Sequence, residues 1–64
     1  MTEETKVLMK LLLALGMSEL FTRTIAGALK TQEDTKKMLV FLKNERPTTE
    51  QPIVEELARI RHYH

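Results

Sequence analysis

The sequence predicts an all-α fold, a compact bundle of four short helices with the first at its centre. Three observations carry this. Apolar residues recur at three- and four-residue intervals in four separate stretches, the spacing of one helix face. Two glycines and two prolines in 64 residues are too few for a loop-rich or all-β chain. The absence of cysteine excludes a disulfide framework and any cysteine-ligated zinc site. Length favours a single helical domain over residues 1–64.

The first helix is expected from Glu3 to Leu15, with Thr2 as N-cap, acidic residues in the first turn and Gly16 as the terminating glycine. At about 100° per residue, Leu8, Leu11, Leu12 and Leu15 form one stripe. Val7 and Ala14 widen one side of it, and Met9 and Leu13 the other. Only Lys6 and Lys10 mark a solvated edge. The run from Val7 to Leu15 is far short of the roughly 20 residues that span a bilayer, so it reads as a core helix.

Ser18 caps a second helix from Glu19 to Leu29, whose Phe21, Ile25, Ala28 and Leu29 share a face. Gly27 costs that helix roughly 1 kcal/mol relative to alanine, and marks either a close approach of another helix or a tolerated solvent-side position. Thr31 and Asp34 start a third helix, Gln32 to Lys43, with Thr35, Met38, Leu39, Phe41 and Leu42 inward. Asn44 is the expected left-handed stop before a linker through Pro47. The fourth helix runs from Thr49 or Glu50 to Tyr63, with Pro52 in its first turn. Ile53, Val54, Leu57, Ile60 and Tyr63 form its buried face. Glu19 with Arg23, Glu33 with Lys37, and Glu55 with Arg59 have the i, i+4 spacing of helix-surface ion pairs.

Ten basic against nine acidic residues give a net charge of +1, which exerts no general pull toward nucleic acid or anionic membrane. The chain has no phosphate-binding glycine loop, no Gly-x-Ser-x-Gly elbow and no His-Glu-x-x-His pair. His62 and His64 stand two apart at the very end, off a common helix face. The expectation is a non-enzymatic cytoplasmic protein with no cofactor, no metal, no small-molecule substrate and no membrane span.

A folded monomer of this size keeps roughly 4,200 Å² accessible and buries about 60% of its unfolded surface. That burial gives roughly 95–100 kcal/mol, and ordering the chain costs about the same. Self-association would supply more. The first helix is apolar around most of its circumference, more than three short companions can cover. The sequence therefore predicts an interaction domain that pairs with a second copy or with one protein partner. Val7, Met9, Leu13 and Met17 are its candidate contact residues.

The alternative is a helix-turn-helix-like regulator whose third helix reads DNA through Gln32, Thr35, Lys36 and Lys37. Glu33 and Asp34 oppose it, since they would repel phosphate at the helix end that normally attracts it.

Leu15-Gly16-Met17-Ser18 resembles the Met-Gly-Phe-Ser loop of ubiquitin-associated domains. Ala28-Leu29 followed by Met38, Phe41 and Leu42 is similar to that family's second and third helices. The resemblance covers about residues 8–44 and implies ubiquitin contact through Met17 and the end of the third helix near Leu42. The chain departs from the pattern in its longer second helix, a loop without Phe, and a fourth helix.

Overall fold

A computed structural model describes residues 3–62. They form four helices, α1 (Glu3–Ala14), α2 (Glu19–Ala28), α3 (Gln32–Glu45) and α4 (Glu50–His62). This is the all-α four-helix bundle that the sequence predicts. Thr2 as N-cap, Tyr63 as a core residue and the terminal His64 lie outside the described residues.

Gly16 ends α1 as expected, with a φ of +94°. Its N–H donates to the Leu13 carbonyl at 3.0 Å and the Met17 N–H reaches back to Leu12 at 3.1 Å. This pair of bonds is the Schellman arrangement, which satisfies carbonyls that the helix end leaves open. It also turns Met17 inward, beside Leu12 in the core.

The next two helices start by the same device. The Ser18 hydroxyl accepts the Phe21 N–H at 3.1 Å, and the Thr31 hydroxyl accepts the Asp34 N–H at 3.1 Å. Four residues on, the Thr22 and Thr35 hydroxyls donate to the carbonyls of Ser18 and Thr31 at 2.8 and 3.1 Å. Both threonines can therefore be buried without an orphaned polar atom, and both are.

α3 runs two residues past its expected end and stops at Arg46, which takes left-handed angles of φ 45° and ψ 57°. Asn44 remains helical. The terminator is Pro47, whose missing N–H cannot continue the ladder, and the buried proline ring secures the bend.

α1 packs against α2 and α3, and α3 packs against α1 and α4. The centre is thus shared: Leu8 and Leu12 of α1 and Met38 and Leu42 of α3 are fully buried, joined by Ile25 of α2 and Ile53 of α4. α1 is central as expected, packed against both α2 and α3, and α3 shares that place because it also bridges to α4. Since α4 has one major neighbour, its buried face is narrow. Ile53 and Ile60 are inside, while Val54, expected there, is 47% exposed.

Candidate docking surface

The apolar belt of α1 is only partly covered. Leu8 and Leu12 face the core, with Leu11 and Leu15 packed against it. Val7 is 41% and Leu13 47% exposed, and Met9 is half-buried. These three do not make one patch. Val7 lies about 160° around the helix from Met9 and about 120° from Leu13, with Lys6 and Lys10 between the flanks. Met9 and Leu13 are only about 40° apart, on the side toward α2.

On that side Met9 lines a hollow of about 270 Å³ with Thr5, Arg23, Ala26 and Gly27. Met9 and Leu13 run along α1 toward the turn at residues 15–18. Arg23 and Leu20 run along α2 toward the same turn. Leu20 is 77% exposed, the largest value among the big apolar side chains, and sequence reasoning missed it. The signal was present: Leu20 stands about 140° from Ile25, on the polar side of an otherwise one-faced helix.

The outer face of α2 is chemically quiet. Leu20, Arg23, Thr24 and Gly27 are all exposed. The Thr24 hydroxyl donates to the Leu20 carbonyl at 2.9 Å, and Arg23 pairs with Glu19. A Cβ added at Gly27 would meet nothing within 4 Å. Of the two readings of Gly27, the structure gives the open one, since α1 shares the hollow beside it but puts no atom within 4 Å of that Cβ position.

Met17 is 6% exposed and belongs to the core, not to the surface. The Schellman turn that orients it is the physical reason. Leu42, the other residue implied by the loop resemblance, is also fully buried, so neither can meet ubiquitin from where it stands.

The four candidate DNA-reading residues do not share a face. Thr35 is buried and donates to the Thr31 carbonyl. Gln32 donates to a Glu4 oxygen at 3.0 Å. The Glu4 backbone N–H, the Gln32 amide and the Lys36 charge together hold the Glu4 carboxyl below its ordinary value, against a smaller upward push from desolvation. Lys37 turns instead toward the groove between α3 and α4.

That groove, about 500 Å³, has Val40, Phe41 and Ile60 on its walls, and Lys37, Glu45, Glu56 and Arg59 as charged neighbours. Arg59 bonds Glu56 at 2.7 Å, not Glu55, whose carboxylate takes the Gln51 amide at 3.1 Å. Covering this groove would desolvate Lys37 and Glu45 as well as the Glu56–Arg59 ion pair. Covering the outer face of α2 involves the one ion pair of Arg23 with Glu19, so the apolar contact there is less opposed.

Among the described residues, no helix is long and apolar enough to cross a membrane, and no three His, Asp or Glu side chains gather as a metal site would require. No family model, no curated protein and no solved structure matches the chain.

Proposed function

We propose that this protein is a non-enzymatic interaction module that docks a second copy of itself through the α1–α2 side of the bundle, with Met9, Leu13 and Leu20 in the contact. The observation that carries the reading is that Leu13 and Leu20 are 47% and 77% exposed on α1 and α2, the two helices that also wall the hollow lined by Met9. Large apolar side chains that share one side of a small domain lower their free energy by being covered, at about 25 cal/mol per Å² removed from water. A second copy offers the same side chains in return, which is the self-complementarity of an isologous dimer. A chain without cysteine suits a reducing compartment, and we place it in the cytoplasm.

Sedimentation across a concentration series tests the proposal. Mass should rise from monomer toward dimer as concentration reaches the high micromolar range, since small interfaces hold weakly. Leu13→Glu and Leu20→Glu should keep the protein monomeric throughout with unchanged helical content. A wild type that stays monomeric at the highest concentration ends the reading.

A further inference from the structure

Docking through the α1–α2 side leaves the α3–α4 groove open, and the chemistry of that groove is different. Arg61, near the end of α4, shares a hollow with Thr31 and Asp34 at the start of α3, so the two helices run antiparallel and the groove lies along both. Val40, Phe41 and Ile60 form its apolar surface, and Val40 is 58% exposed. α4 has α3 as its one major neighbour, and a further helix laid in the groove would give it a second.

The charges along the groove are ordered. Lys37, Phe41 and Glu45 recur every four residues, so they form one ridge about 12 Å long, with a cation at one end, a ring in the middle and a carboxylate at the other. Among the described residues neither Lys37 nor Glu45 enters an ion pair, and the Glu33–Lys37 pair that the spacing allows does not form. On the opposite wall Arg59 and Glu56 neutralise each other, through two bonds to one Glu56 oxygen. Glu45 is also the last residue of α3, where the helix dipole disfavours a carboxylate, so an incoming cation is favoured there on two counts.

We propose that the groove receives an amphipathic helix of another protein, whose contact stripe carries an acid, a large apolar residue and a base at four-residue intervals, the acid over Lys37 and the base over Glu45. Such a stripe repeats at the interval of the α3 ridge, so its three contacts register together. The desolvation that opposes covering Lys37 and Glu45 is offset only by a partner that brings both opposite charges, which is why the groove selects a mixed-charge stripe. A second copy would bring its own Glu56–Arg59 pair to be desolvated as well, a cost that a lone helix does not carry.

The test titrates the isotope-labelled full chain with three alanine-based helical peptides that differ only in the stripe: Glu-Leu-Lys, Glu-Leu-Glu and Lys-Leu-Lys at four-residue spacing. Wild type should bind the mixed peptide about three- to tenfold more tightly than either like-charged one at low salt, a preference that shrinks at high salt. The resonances that shift should be those of Val40, Phe41 and Ile60. Lys37→Glu should turn the preference to Lys-Leu-Lys, and Glu45→Lys should turn it to Glu-Leu-Glu. Both positions are exposed, so helical content should hold in each variant. Equal binding of all three peptides, no binding of any, or shifts confined to Leu13 and Leu20 would overturn the proposal. So would groove shifts in the peptide-free protein that grow with its own concentration, which would assign the groove to a second copy.

Discussion

At Gly16 the backbone enters the left-handed region to close α1, and a side chain there is strained even though the surrounding space is open. Gly16→Ala should therefore cost about 1–2 kcal/mol. Gly27 has ordinary helical angles and equally open space, so its only effect on the monomer is the entropy it adds to the unfolded chain. Gly27→Ala should stabilise by about 0.5–1 kcal/mol. Urea denaturation of both variants at low protein concentration checks the pair, and shifts of the same sign would refute the assignment of their roles. Among the described residues Arg46 is the second position with positive φ, a non-glycine residue at the end of α3. The chain accepts that cost because Pro47 ends the helix and packs inside. The sequence pointed to Asn44 because asparagine tolerates such angles, but tolerance does not stop a helix; a missing N–H does.

At the scale of elements, α1 and α3 are joined at their N-terminal ends by the bond from Gln32 to Glu4. The folded carboxyl titrates below its ordinary value, so this tether is fully present above the unfolded pKa and is lost as pH falls through the folded one. Gln32→Ala should raise the Glu4 midpoint toward its ordinary value, and an NMR titration of the Glu4 side chain reads it directly. A midpoint that does not move would mean that the amide contributes nothing to holding the carboxylate. Such a long-range bond was not legible in the sequence, where Glu4 reads only as a first-turn acid. The element starts were legible, because Ser18, Thr31 and Gly16 act on their own neighbours. Local chemistry also explains Thr22 and Thr35, four residues beyond each cap, although only Thr35 was expected inside. Val54 and Met17 were misread for a different reason. Periodicity says which residues share a helix face, not how many neighbours that helix will have or which way a turn will aim its exit residue.

At the scale of the molecule, 4430 Å² remains accessible, close to the roughly 4,200 Å² of a folded monomer of this size, yet Leu13, Leu20, Val40 and Val54 are still substantially in water. The sequence anticipated surplus apolar surface but concentrated it on α1; the structure distributes it, because α1 is covered on two sides and α2 on one. This separates what holds the fold from what is offered for contact. Met38, fully buried on the bridging helix, should cost about 2–5 kcal/mol when cut to alanine, whereas Leu20→Ala should stay within about 0.5 kcal/mol at dilution. The difference becomes a concentration effect if the exposed face docks a second copy. A dimer forms from folded chains only, so mass action adds stability as concentration rises, about 2.7 kcal/mol when the binding partner stands at a hundred times the dissociation constant. For a domain this small each kcal/mol is worth roughly 4–8 °C of melting temperature. Wild-type protein should therefore melt progressively higher between low and high micromolar concentration, and Leu20→Glu should melt at one temperature throughout, equal to the dilute wild-type value. Met38→Ala should melt lower than wild type at every concentration but keep the upward trend, since its docking face is intact. Parallel flat lines for all three would show that the exposed leucines of α1 and α2 are simply surface.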